Sequence, residues 1–205
     1  MARSGSENRR WSTYLQYHWW KYLLLVVISA AVWTAVFDSL ARPDRNEKVG
    51  IAFFGDGLDV QGLHDEVSGA IERLTDQQIS VVDVEQVIVD RDLLGSAVTA
   101  RSYDCDLLVL TADTADLLPA HGFFCPIPDD WEDVSVYSQE RDGVYTAYGV
   151  KICGPGAANR FSRFCRDDSI YYVFLSRESV NLAGLNGQGS QSDDAAMRVL
   201  EYLME

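Results

Sequence analysis

Mainly apolar residues run from Tyr22 to Phe37 (YLLLVVISAAVWTAVF), sixteen positions without a charge. With Trp19, Trp20 and Lys21 before it and Asp38 to Ala41 after it, the run reaches the ~20 residues that a helix needs to cross a bilayer. It lacks the polar stripe of a helix lying on a soluble protein. Tyr17, Trp19, Trp20 and Tyr22 gather at one end, as an interfacial aromatic belt does. Residues 22–41 therefore read as a transmembrane signal anchor. Residues 1–21 read as a cytoplasmic tail, 42–47 (RPDRNE) as a polar linker and 48–205 as an extracytoplasmic domain. Arg3, Arg9, Arg10 and Lys21 precede the span and Arg42, Arg45 and Lys48 follow it, a slight bias toward an inside N-terminus. The alternative is cleavage near Ala41 and secretion, because Ser39-Leu40-Ala41 offers small residues at the −3 and −1 positions. A leading segment of about twenty residues and Pro43 just past the cut speak for retention.

Beyond residue 47 the period changes. KVGIAFF (48–54) is a continuous apolar run, as in a strand buried on both faces. Gly55-Asp56-Gly57 breaks it. Leu63, Val67, Ala70, Ile71 and Leu74 then recur at helical spacing. Residues 78–89 (QISVVDVEQVIV) predict a second strand with a bend, and 91–100 a short helix. DLLVLTA (106–112) predicts a third buried strand, and 113–120 another short helix with Asp113 as its cap. Three strands alternating with helices predict a βαβαβ unit and a mainly parallel sheet. FFCPIPDDW (123–131) is a short run ended by proline and acids. VYTAYGVKI (144–152) and SIYYVFL (169–175) read as further strands. Residues 183–192 read as a loop, and a helix follows from Asp193 with Ser192 as its cap. The expected fold is α/β: a single mainly parallel sheet flanked by helices, preceded by one transmembrane helix.

Composition is that of an ordinary globular chain, with 47% hydrophobic and 23% charged residues. The formal charge is −14. Four of the 17 basic and two of the 31 acidic residues precede residue 42, leaving 13 and 29 beyond it. So acidic a surface repels phosphate backbones and excludes nucleic acid as a partner. Cys105, Cys125, Cys153 and Cys165 all lie after the span, and an even count in an exported domain reads as disulfides. Of the three connectivities, Cys153–Cys165 closes the short Gly/Pro-containing loop CGPGAANRFSRFC, which leaves Cys105 to pair with Cys125. In the expected topology both of the latter reach the same end of the sheet. No C-x-x-C spacing and no neighbouring histidine supports zinc, and no cofactor is expected.

The order of pieces also carries a resemblance. Asp142-Gly143-Val144-Tyr145-Thr146-Ala147-Tyr148-Gly149-Val150-Lys151 resembles the crossing phrase of extracellular solute-binding proteins of ABC transporters, the type 2 periplasmic-binding class. Tyr171 to Ser179 (YYVFLSRES) is similar to their returning strand, and Asp194 to Leu203 (DAAMRVLEYL) to the helix after it. Between these crossings that family has a second lobe of a hundred or more residues, and here about seventeen remain. The resemblance therefore implies one truncated lobe of a two-lobed clamp, which leaves any ligand half exposed.

Candidate chemistry is sparse. Ligands of parallel sheets bind beyond the carboxyl ends of the strands, which singles out Asp56, Gly57, Asp59, Thr111 and Asp113, with Tyr148 at the crossing. Oxygen ligands at Asp56 and Asp59 would suit Ca²⁺, without matching an EF-hand loop. Asp104-Cys105-Asp106 has a D-x-D spacing but sits at the amino end of its strand. Asp129 to Asp133 (DDWED) is an acidic run. His64 and His121 lack any nucleophile pattern, and no catalytic residue is assigned. The expected function is a non-enzymatic, membrane-anchored module that docks on another cell-surface protein such as a transporter. The alternative is a small-ligand or cation receptor at the strand-end edge.

Overall fold

The computed structural model describes residues 5–41, 45–75, 79–128, 131, 135–182 and 195–205. It divides into two compact units, Met1–Pro43 and Asp44–Glu205.

The first unit is one helix, α1 (Gly5–Ala41). Within it Trp19–Phe37 is long and apolar enough to cross a membrane, and none of those residues is buried. At 1.5 Å per residue this stretch is about 28 Å long, close to the hydrocarbon thickness of a bilayer. The Thr34 hydroxyl donates back to the Ala30 carbonyl at 2.9 Å, a local bond that satisfies it inside an apolar helix.

The second unit is a six-stranded sheet in the order β2-β1-β3-β6-β5-β4. The strands are β1 (Lys48–Phe54), β2 (Val81–Val87), β3 (Leu107–Thr111), β4 (Val136–Arg141), β5 (Val144–Lys151) and β6 (Tyr171–Leu175). Helices α2 (Val60–Leu74) and α3 (Leu94–Asp104) connect β1 to β2 and β2 to β3. Both crossovers bring the strands in parallel, with Lys48 opposite Val81 and Ile51 opposite Leu107. The βαβαβ half is thus as the periodicity implies.

The other half differs. The β3–β6, β6–β5 and β5–β4 pairs are antiparallel, so the sheet is mixed rather than mainly parallel. For β4 and β5 the reason is local. β4 and β5 form a hairpin whose two turn residues, Asp142 and Gly143, have φ of 54° and 80°. Positive φ at both positions matches the twist of a two-residue hairpin and returns the chain antiparallel without a helix. The helix expected over 113–120 is instead two single turns, α4 (Ala112–Ala115) and α5 (Ala120–Phe123). Pro119 separates them, because a proline inside a helix lacks the amide that would continue it.

Alternate residues of the central strands face opposite cores. Val49, Ile51, Phe53, Leu107 and Val109 pack with α2 and with α6 (Ala195–Met204). Ala52, Phe54, Leu108 and Leu110 pack with α3 and the α4–α5 segment. Both faces are covered, which is why KVGIAFF reads as continuous rather than alternating. The acidic residues of the 129–133 run, the 183–192 loop, Ser192, Asp193 and Asp194 lie outside the described residues.

Candidate functional site

The β1–α2 turn carries Asp56, Gly57 and Asp59, and the disulfide-closed loop holds it in place. Cys153 and Cys165 are bonded, with Cα atoms 6.4 Å apart. Leu58 makes an antiparallel bridge to Cys165. The Asp59 amide donates to the Phe164 carbonyl at 2.7 Å, and the Arg166 amide to the Gly57 carbonyl at 2.8 Å. Leu58 is buried in the core beneath. The disulfide-closed loop is therefore a strap across the end of β1.

The strap also occupies the turn's charges. Arg166 pairs with the Asp59 carboxylate at 2.9 Å. The Asp167 carboxylate stands 2.6 Å from where a Cβ on residue 57 would be, so only glycine leaves it room. Asp167 accepts from the Ser169 hydroxyl at 3.0 Å and the Tyr171 hydroxyl at 3.3 Å. Burial pushes the Tyr171 phenol up, and the Asp167 charge adds to the shift. Among the described residues, no group of three or more His, Cys, Asp or Glu side chains converges as metal ligands.

Thr111 ends β3 and caps α4, its hydroxyl accepting from the Thr114 amide at 3.3 Å. Asp113 is exposed on α4. With Arg91, Thr114 and Asp116 it lines an open groove of about 500 Å³ between α4 and the start of α3. The fold brings Thr111 and the β1 turn to one sheet edge, but the Asp113 groove is separate from the turn that holds Asp56 and Asp59.

Tyr148 does not join them. Gly149 is opposite Phe174, and Phe174 is opposite Leu108, three residues before Thr111. Tyr148 is buried and belongs to the second core, with Phe124, Tyr137 and Phe174. It lines a different cavity, of about 290 Å³, with His121, Phe124, Arg141 and Arg177. No sequence pattern marks that cavity, because its residues come from four separate segments.

The expected Cys105–Cys125 disulfide is absent: both thiols are free and buried. Cys105 packs in the core on the α3 side and Cys125 in the core on the α2 side. Sheet alternation explains this, because Phe124 takes the face that Cys105 shares and its neighbour Cys125 takes the other. Burial, with Glu85 beside it, drives the Cys105 thiol far above its ordinary range. Burial pushes the Cys125 thiol up to about 11.

Asp106, half of the D-x-D spacing, is a buried structural carboxylate. It accepts from the Gly50 amide at 2.9 Å, the Ser179 hydroxyl at 2.5 Å and the Asn181 amide at 3.1 Å. Burial raises its pKa and these hydrogen bonds oppose the rise. The sequence signal for this cluster is faint: an acid just before a buried strand.

No known protein family matches the chain, and no curated protein matches it. Among solved structures it has a weak likeness to an ABC transporter solute-binding protein from Agrobacterium vitis S4 with bound D-mannitol. The identity is 14%, over 52% of this chain and 27% of that one, with a TM-score of 0.31. The chain spans about a quarter of that protein's length, and neither the polyol nor the transporter passes to this chain from a likeness of this extent.

Proposed function

We propose that the chain is a membrane-tethered, extracytoplasmic α/β module that performs no chemistry of its own and docks on another protein at the same cell surface, such as a transporter. The observation that carries this reading is the Trp19–Phe37 helix, long and apolar enough to cross a membrane and unburied. An unburied stretch of that length and hydropathy suits the hydrocarbon core of a bilayer. The Cys153–Cys165 bridge supports an oxidising compartment for the domain. Both remaining thiols are buried with raised pKa, which suits packing rather than nucleophilic catalysis. His64 lies beside Asp65 at 3.4 Å, an exposed pair with no hydroxyl or thiol bonded to it among the described residues. A tether also confines the search for a partner to one membrane, which raises effective concentration without new contacts.

A receptor role at the strand-end edge has the Asp113 groove in its support, but Asp59 is already paired with Arg166. Crosslinking in native membranes, followed by purification through a C-terminal tag, tests the docking reading. One dominant co-purifying membrane protein supports it. Recovery of the chain alone contradicts it.

A further inference from the structure

The cavity beside Tyr148 has a character opposite to that of the domain around it. Beyond residue 42 acids outnumber bases by more than two to one. Yet this cavity collects Arg141, Arg177 and His121 on its wall. Its polar groups are held from several directions. The Arg177 amide donates to the Phe123 carbonyl at 2.9 Å, and its Nη1 donates to the His121 carbonyl at 2.6 Å. The guanidinium is thereby fixed on α5 rather than left to sweep through solvent. Arg141 ends β4, and its ion pair with Asp142 is loose, 3.6 Å between groups that are 61% and 91% exposed.

The rest of the wall is flat and apolar. Phe124 is locked by its neighbour Phe174, with ring centroids 4.5 Å apart, and Pro126 continues the same surface. Tyr148 is only 6% exposed. Its hydroxyl bonds to no described residue and is not itself a buried unpartnered group, so it is open to solvent or to a ligand in the cavity. At about 290 Å³ the cavity is at the small end of ligand sites. Two forked cations suit an oxyanion, a phenol can donate to it, and the aromatic wall suits a planar apolar body.

We propose that this cavity binds a small organic carboxylate, with Arg141, Arg177 and the Tyr148 hydroxyl holding the carboxylate and Phe124 and Pro126 packing against its apolar part. The site lies away from Asp56, Asp59 and Asp113 and does not depend on the tether or on a docked partner.

The test uses the full chain in detergent micelles, with benzoate, its neutral isostere benzamide and inorganic sulfate as probes, read by calorimetric titration and by the unfolding temperature. A ligand bound only to the folded state raises that temperature by mass action. The expected result is binding and stabilisation by benzoate, with benzamide and sulfate each weaker by about tenfold or more. Tyr148→Phe and Arg141→Gln should each weaken benzoate by about fivefold or more. Arg141 is at an exposed hairpin end, so that variant folds even if Arg177→Gln, which frees the α5 carbonyl, does not. Absence of benzoate binding, equal binding of benzamide or sulfate, or unchanged affinity in both variants would overturn the proposal. None of these outcomes bears on membrane topology or on partner recovery.

Discussion

The Ser179 hydroxyl donates to the Asp106 carboxylate at 2.5 Å, joining residues 73 positions apart inside the core. Gly50 and Asn181 complete the cluster, and the Asn181 amide also donates to the Lys48 carbonyl at 2.9 Å. One carboxylate thus ties the start of β1, the start of β3 and the chain after β6 at the same end of the sheet. Asp106→Ala removes the buried acceptor that the Gly50 amide, the Ser179 hydroxyl and the Asn181 amide share, and should cost on the order of 3 kcal/mol. Asp106→Asn keeps the shape and should cost less. Thermal unfolding of the two variants checks the order.

The same residue gives a pH prediction. Burial raises the folded pKa of Asp106 above its ordinary value of 3.8. The folded state therefore binds the proton more tightly than the unfolded chain. Its stabilising contribution is full below 3.8 and is lost as pH rises through the raised folded value. Relative to Asp106→Asn, the wild-type chain should thus gain stability between neutral pH and about pH 4. Unfolding both proteins across that range measures the gap; a gap that narrows on acidification contradicts it.

Reducing the Cys153–Cys165 bridge should release the strap from the β1–α2 turn. The bridge closes a loop with a sequence separation of 12, and a loop of that size is worth about 3 kcal/mol in chain entropy. Cys153→Ser should show the lower stability with or without reductant, whereas the wild-type chain should lose stability only when reductant is added.

Thiol counting distinguishes the two cysteine pairings. The unfolded, unreduced chain should react with two equivalents of a thiol reagent, at Cys105 and Cys125. The folded chain should react slowly at both, since burial raises their pKa values. Zero equivalents after unfolding would restore a second disulfide.

Gly149 tests the antiparallel half of the sheet. A Cβ there would stand 2.7 Å from the ring of Phe174, which is fully buried. Gly149→Ala should cost about 1–3 kcal/mol through overpacking. A neutral result in thermal unfolding would mean that β5 and β6 pair in another register.

The elements buried on both faces were legible because their residues are apolar without interruption: β1, β3 and β6 stand close to where the sequence places them. The amphipathic helix carrying Leu63, Val67 and Ile71 was legible through its period. β4 (VYSQER) was not, because an edge strand with five of six positions partly or fully exposed carries little apolar signal. The direction of β6 was equally hidden, since it follows from how the disulfide-closed segment after β5 returns the chain rather than from any property of YYVFL. Sequence spacing joined Cys153 to Cys165 because a short loop constrains its own ends. It failed for Cys105 and Cys125, whose separation depends on which side of the sheet each thiol faces. Asp56, Asp59 and Thr111 were placed on one edge by the strand-end rule. Arg141 and Arg177 escaped notice because only the folded chain brings their segments together at Tyr148.

The central claim is that the apolar helix tethers a domain lying outside the cytoplasm, and protease accessibility in intact cells carrying separate N- and C-terminal tags tests it most directly. The expected result is loss of the C-terminal tag to external protease while the N-terminal tag stays protected on a membrane-bound fragment. A C-terminal tag that survives until the cells are lysed, or a chain that leaves the membrane in alkaline carbonate, would contradict it.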